Sequence, residues 1–332
     1  MMKLIFTAIV LISVPLRPSA QEKPLILSTA SMIMDMSKNI GGDNFVYSSI
    51  VPIGSDPHLY EPTPGDVRKC NQAAVILKNG LTFEGWLQKL IDNSGSAAQV
   101  FTVTKGVVPI ASEQYANATD PHAWMSAANG LLYCQNIRDA MIEVFPDRAD
   151  EFRNNYQRYI SQLEELDQYI TTRIASVPED RRILITSHDA FQYYGRRYKI
   201  QLESVLGTST DADVQTSDVQ RLHEVIRNSN VPVVFIESTI NPRLISQIAN
   251  DNNISVGGKL YADSLGEPEG PAGTYLKMLR YNTDVIFEGL MENVDPDHIA
   301  PVRPTTNWLW GLLLAPIVLA IGLFIFRVIT NR

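Results

Sequence analysis

The sequence predicts an α/β protein of two lobes with parallel sheets, joined by one long rigid helix and followed by a C-terminal transmembrane helix. Three observations carry this. Short apolar strands alternate with amphipathic helices through both halves of the chain, the pattern of βα units. Between the halves, Phe152, Tyr156, Tyr159, Leu163, Leu166, Ile170 and Ile174 recur at steps of four and three, which marks one long helix with a single buried face. At the end, residues 308–326 read WLWGLLLAPIVLAIGLFIF without a charge, and a membrane span needs about 20 apolar residues.

The elements run in this order. Leu25 to Leu27 reads as a strand, and Met32 to Ile40 as a helix stopped by Gly41 and Gly42. Phe45 to Ile53 reads as a strand rich in Val, Ile and Tyr. Asp66 to Lys78 and Phe83 to Ile91 have helical spacing, Val100 to Val103 reads as a strand, and Asn129 to Val144 as a helix. Past the long helix, which ends before Pro178, Arg182 to Thr186 reads as a strand and Ala190 to Arg197 as a helix. Val219 to Asn228 is a helix, Val233 to Ile236 a strand, Leu244 to Asn250 a helix, Ser255 to Leu260 a strand and Gly273 to Leu290 a closing helix. A chain of 332 residues exceeds the usual size of one core, which agrees with two lobes.

The two termini differ in kind. Lys3, the apolar stretch from Leu4 to Leu16 and the small residue Ala20 form a secretory leader over 1–20. No cysteine lies near it, so it is not read as a lipoprotein leader. At the other end Arg327 and Arg332 follow the apolar run, and the positive-inside rule puts them in the cytoplasm. The expected organisation is a leader (1–20), a first lobe (21–145), an interlobe helix (146–177), a second lobe (178–292), a linker with three prolines (293–307) and a transmembrane helix (308–329). The protein is then exported and held at the cytoplasmic membrane by its C-terminal helix, with both lobes outside.

Composition narrows the function. Charged residues are 19% and the net charge is −8, with no basic run, which argues against nucleic acid as a partner. Only Cys70 and Cys134 are present. Two cysteines exclude a disulfide scaffold and a CxxC metal site, and both lie among apolar residues as expected of buried free thiols.

Three of the five histidines sit in telling places. Asp-Pro-His occurs twice, at 56–58 and 120–122, and His188 follows the strand Arg182 to Thr186. Proline fixes φ and extends the residue before it, so His58 and His122 are presented on stiff turns. Asp263 follows the strand Ser255 to Leu260. In open parallel sheets ligands bind beyond the C-terminal strand ends, and three imidazoles with one carboxylate suffice for a four-coordinate divalent ion. Asp56, Asp120 or a backbone carbonyl is placed to orient the imidazoles from behind, and Glu237, at a strand end, is either another such carboxylate or a neighbour of a helix N-cap. Taken one at a time, each histidine is more often a turn or core residue than a ligand; their recurrence at strand ends brings the two readings level, and the residues alone leave that choice open. His223, on a polar helix, and His298, in the linker, are not expected to be ligands.

Four separated stretches carry a resemblance: GSDPHLYEPTPGDV (54–67), DPHAW (120–124), SHDAFQYY (187–194), and DSLG with PAGTYLKMLRYN between 263 and 282. In this order they resemble the metal-binding solute receptors of zinc and manganese ABC importers, the cluster A-I or TroA-like family, over residues 24–292. The resemblance implies two metal-binding lobes bridged by a long helix. It implies His58, His122, His188 and Asp263 as ligands of one Zn2+ or Mn2+ carried as cargo. It also implies an ABC permease and its ATPase as partners, and no catalysis. Histidine at position 188 leans toward zinc within that family, as does the preference of imidazole for zinc. The absence of histidine from 59–121 departs from the His-rich loop of many zinc receptors. Two other functions stand beside this one. A metal-dependent hydrolase would use an open metal position, with Ser187 beside His188 as a nucleophile pair; no HExxH, GxSxG or P-loop motif supports it. A surface adhesin with a structural metal is the other.

Overall fold

The computed structural model describes residues 22–112, 118–211, 214–229 and 231–292. The first lobe contains β1 (Leu25–Ser28), α1 (Ser31–Gly41), β2 (Val46–Ser49), α2 (Pro64–Gln72), β3 (Ala73–Lys78), α3 (Leu87–Ser94), β4 (Gln99–Thr102) and α4 (Ala127–Val144). Its four strands are parallel in the order β2-β1-β3-β4. The two central strands bury Ile26, Leu27, Val75, Ile76 and Leu77, as parallel strands covered on both faces must.

One local reading is corrected here. The helical character expected over 66–78 belongs only to α2, which a Thr63–Asp66 capping box starts, with Pro64 in its first turn. The next six residues, AAVILK, pair with β1 on one side and β4 on the other. Burial on both faces makes this strand a continuous apolar run, and such a run has no period by which to tell it from a helix.

Past this lobe runs α5 (Ala149–Ala175), 27 residues long. The second lobe contains β5 (Ile183–Thr186), α6 (Gln192–Tyr198), β6 (Gln201–Ser204), α7 (Thr216–Asn228), β7 (Val233–Glu237), α8 (Arg243–Asp251), β8 (Ser255–Leu260) and α9 (Tyr275–Leu290). β5 pairs parallel with β6 and β7 with β8, and β5 packs beside β7. The apolar face of α5 buries Phe152, Leu163, Ile170 and Ile174 completely, each such side chain contributing about 1.5–3 kcal/mol. It packs on α1 and α4 of the first lobe and on α6 and α9 of the second. Asp167, on the same helix, accepts from Tyr198 Oη at 2.9 Å and pairs with Arg197, which fastens α6 to it. β6 goes unrecognised in the sequence because the polar Gln201, Glu203 and Ser204 leave no apolar run.

The lobes are also joined directly. Trp124 Nε1 donates to Ala262 O at 2.8 Å, and Tyr275 Oη donates to Trp124 O at 2.5 Å. Trp124 and Tyr275 are fully buried, so the seam between the lobes is packed at its floor. Cys70 and Cys134 are both buried free thiols.

The fold class needs one correction. The two-lobed α/β architecture with parallel sheets and a long joining helix stands, but the transmembrane helix finds no support: among the described residues no helix is long and apolar enough to cross a membrane. The longest, α5, carries charges along its outer face, including Glu151, Arg158 and Glu165, as a helix facing water on one side does. The expected span at 308–329, the linker at 293–307 and the leader at 1–20 lie outside the described residues.

Candidate metal centre

The loop after β2 carries the first Asp-Pro-His turn and the connection after β4 the second. In each, the aspartate closes the turn on the histidine: His58 N donates to Asp56 Oδ1 at 2.9 Å, and His122 N donates to Asp120 Oδ1 at 2.9 Å. This side-chain-to-backbone bond across two residues substitutes for a backbone turn. His188 stands two residues past the end of β5, and its N–H donates to Glu237 Oε1 at 2.9 Å, from the last residue of β7. Asp263 stands three residues past the end of β8. Two residues thus come from each lobe.

Their side chains converge. His58, His122, His188 and Asp263 each offer one ligand atom, and these atoms all lie within 4.8 Å of one another. His58 Nε2 is 3.2 Å from His122 Nε2. Asp263 Oδ1 lies 3.1 Å from His122 Nε2 and 3.9 Å from His58 Nε2, and Oδ2 lies 3.2 Å from His188 Nε2. The far side of two rings is held by carboxylates: Asp120 Oδ1 is 2.7 Å from His122 Nδ1, and Glu237 Oε2 is 2.6 Å from His188 Nδ1. That arrangement leaves Nε2 of each ring turned inward. Phe83 packs in a T-shaped contact with His58, and Trp124 in another with His122.

Asp263 is the anomaly of the cluster. It is 2% exposed, yet neither of its oxygens accepts a hydrogen bond of ordinary geometry. A buried carboxylate without donors is costly unless a positive charge faces it. The imidazoles that face it respond to that carboxylate. Burial works against protonating His122, but Asp120 and Asp263 outweigh it and push its pKa up to about 9. Burial likewise opposes a charge on His188, and Glu237 and Asp263 raise it well above the usual histidine range. Asp263 is held well below the usual carboxylate range: burial raises it, but the His188 charge and the two ring contacts prevail. His58 goes the other way, since its burial dominates and lowers it to about 3. The carboxylates around His122 and His188 thus favour the charged form of both rings, while burial favours the neutral form of His58.

The remaining sequence candidates are dispersed in role. Asp120 and Glu237 touch imidazole nitrogens, whereas Asp56 reaches only the main chain of His58 and, with Oδ2, the hydroxyl of Thr210 at 2.7 Å. His223 lies on α7, with Nδ1 2.6 Å from the Asn252 side-chain amide and apart from the cluster; His298 falls outside the described residues. Ser187 Oγ is buried and bonds to no imidazole. Thr210 and Trp124 are absent from the sequence-derived set of site residues. Trp124 sits inside DPHAW and is detectable by position, whereas nothing local marks Thr210, 154 residues from Asp56.

Comparison with known proteins identifies the family. The family described as zinc-uptake complex component A, periplasmic (ZnuA) matches residues 26–289. The metal ABC transporter substrate-binding lipoprotein SsaB of Streptococcus sanguinis is 33% identical over 280 residues, covering 82% of this chain and 91% of that protein. The manganese ABC transporter substrate-binding lipoprotein scaA of Streptococcus gordonii is 32% identical over 280 residues, covering 82% and 90%. Among solved structures, the periplasmic zinc-binding protein TroA from Treponema pallidum superposes with a TM-score of 0.77 at 30% identity, over 81% of this chain and 99% of that one. The expected location is corrected as well. Anchoring by a C-terminal helix finds no support: the described residues hold no membrane-crossing helix, and both Streptococcus relatives are named as lipoproteins, which acyl chains hold at a membrane.

Proposed function

The chain belongs to the periplasmic zinc-uptake component A family, the substrate-binding proteins of metal ABC importers, and from that premise we propose that it captures one divalent transition-metal ion between its lobes through His58, His122, His188 and Asp263. The observation that carries this is Asp263: a buried carboxylate, short of hydrogen-bond donors, ringed by three imidazole Nε2 atoms. Four protein donors close a tetrahedral site and leave no position for an activated water, which suits carriage rather than hydrolysis. The ion is cargo, passed to a permease that an ATPase drives. As a member of this family the protein is not an enzyme.

The donor set favours zinc, because three neutral nitrogens and one oxygen match its borderline softness. Manganese is the second reading, supported by the identity to a relative named for manganese. Titration of the metal-free full chain with zinc, with manganese, and with manganese against buffered zinc distinguishes them. One tightly held zinc per chain is expected. The expected loss in His188→Ala exceeds the about 10- to 100-fold seen on removing an outer partner of a metal ligand. Manganese that survives buffered zinc transfers the assignment to manganese. The absence of any stoichiometric metal overturns it.

A further inference from the structure

The four central side chains are not equally enclosed. Those of His122, His188 and Asp263 have no exposed surface, while His58 keeps 7%. His58 also forms part of the wall of a solvent-open cavity of about 330 Å³. Phe83 and Trp86 of the first lobe line one side, and Thr208, Ser209 and Asp211 of the second lobe face them. On the other sides of the centre the packing is closed by buried residues such as Trp124, Phe191 and Ala262.

Beside this cavity a side-chain bond joins the two walls. Thr210, between the lining residues Ser209 and Asp211, donates its hydroxyl to Asp56 Oδ2 at 2.7 Å. The other oxygen of Asp56 holds the N–H of His58 at 2.9 Å. One carboxylate therefore fastens the His58 turn and the second lobe together. The same loop has a deeper tie, Gly54 N to Ser264 Oγ at 2.7 Å. Ser264 is 1% exposed and adjoins Asp263, so that bond lies at the inner end, whereas Thr210 is half-buried at the rim.

We propose that this cavity is the doorway of the metal ion and that the Thr210–Asp56 hydrogen bond is its latch, an inference that rests on the receptor function proposed above. Neither Thr210 nor Asp56 belongs to the ligand set, and their bond joins the two lobes beside the cavity. As a latch, it parts when an ion passes in either direction. A barrier shared by entry and exit scales both rates and leaves their ratio, the dissociation constant, nearly unchanged. Weakening a ligand, by contrast, speeds release alone, the usual way in which affinity is lost.

Stopped-flow kinetics on the full chain test this, with zinc alone and then manganese alone as probe. Capture is followed after mixing metal-free protein with the ion, and release after mixing loaded protein with excess fluorescent chelator. Loss of one hydrogen bond in Thr210→Val is expected to speed capture and release alike by about two- to tenfold, with Kd held within about twofold. Thr210→Ser, which keeps the hydroxyl, is expected to restore both rates. Unchanged rates in Thr210→Val overturn the latch. So does faster release with a matching loss of affinity, which marks a weakened ligand turn instead. If the unaltered chain holds neither ion, the receptor function falls and the doorway with it; a failed latch leaves wild-type binding intact.

Discussion

The two Asp-Pro-His turns, at 56–58 and 120–122, have the same tripeptide and the same aspartate-to-histidine main-chain bond at 2.9 Å, yet they build different environments. Asp120 turns the same oxygen to its own histidine ring, 2.7 Å from Nδ1. Asp56 turns its second oxygen away, to Thr210 in the other lobe. His122 is fully buried and pushed up to about 9, whereas His58 keeps a sliver of exposure and is pushed down to about 3. The local motif determines the turn, but the surroundings determine what the carboxylate does with its spare valence. One turn makes a fixed, basic imidazole with its charge partner in place. The other makes a neutral imidazole at the edge, attached to a contact between lobes.

The largest expected contrast is in affinity. Asp120→Ala removes the partner that orients and polarises His122 and is expected to weaken zinc binding about 10- to 100-fold. Asp56→Ala removes a main-chain cap and a rim contact but touches no ring, so a loss of no more than about fivefold is expected, the size of one modest hydrogen bond. Equilibrium competition against a chelator of known affinity measures both. Equal losses would erase the distinction between the turns.

A second contrast is one of sign. The folded-state value of His122, about 9, lies above its unfolded 6.5. Its contribution to the stability of the metal-free protein is therefore fully present below 6.5 and is lost as pH rises through about 9. The folded-state value of His58, about 3, lies below 6.5. Between pH 6.5 and 3 the unfolded state binds the extra proton, so His58 costs stability as pH falls through that window. Thermal melts of metal-free protein against pH are expected to lose part of their alkaline fall in His122→Ala and part of their acid fall in His58→Ala. The same change in both variants would show that the two rings share one environment.

How much of this is visible in the sequence depends on the reach of each interaction. The period of α5 and the apolar runs of β1, β5 and β7 are local and read directly. The strand ends that hold His188 and Glu237 come from β5 and β7, Asp263 follows β8, and the two prolines mark the turns of His58 and His122. β3 is misread because its apolar run continues from α2 without a break, and no period separates the two. The pairing of Glu237 with His188, from strands that neither adjoin in sequence nor share a hydrogen-bonded ladder, requires the packing of β5 beside β7. Thr210 has no local sign at all, because what makes it matter is Asp56 on the opposite lobe. Motif and period thus reveal which residues stand on turns, and only the fold reveals which partner each turn meets.

The smallest expected effect concerns how each turn is tied to the helix downstream of it. The second turn runs straight into buried Trp124 and then into α4, whose Ser126 cap accepts from Asn129 N. The first turn is separated from α2 by a loop whose anchor is polar. Asp66 Oδ2 accepts from Thr63 N at 2.9 Å, Thr63 Oγ1 at 2.7 Å and Tyr60 Oη at 2.6 Å, and Lys69 approaches Oδ1 at 3.0 Å. Burial raises the pKa of Asp66, but these bonds outweigh it and lower the value to about 2 from 3.8. The stabilisation is therefore present above about pH 4 and is lost as pH falls through about 2. Asp66→Asn is expected to cost about 1 kcal/mol at neutral pH, the ordinary worth of a helix-start interaction, with the difference from wild type vanishing near pH 2. Because Asp66 touches no metal-centre residue, zinc affinity is expected to stay within about twofold. Denaturant melts at pH 7 and at pH 2.5, run with the same zinc competition assay, check both halves. A large loss of affinity in Asp66→Asn would mean that the loop between Tyr60 and Thr63 transmits strain to His58, making the first turn depend on its downstream anchor in a way the second does not.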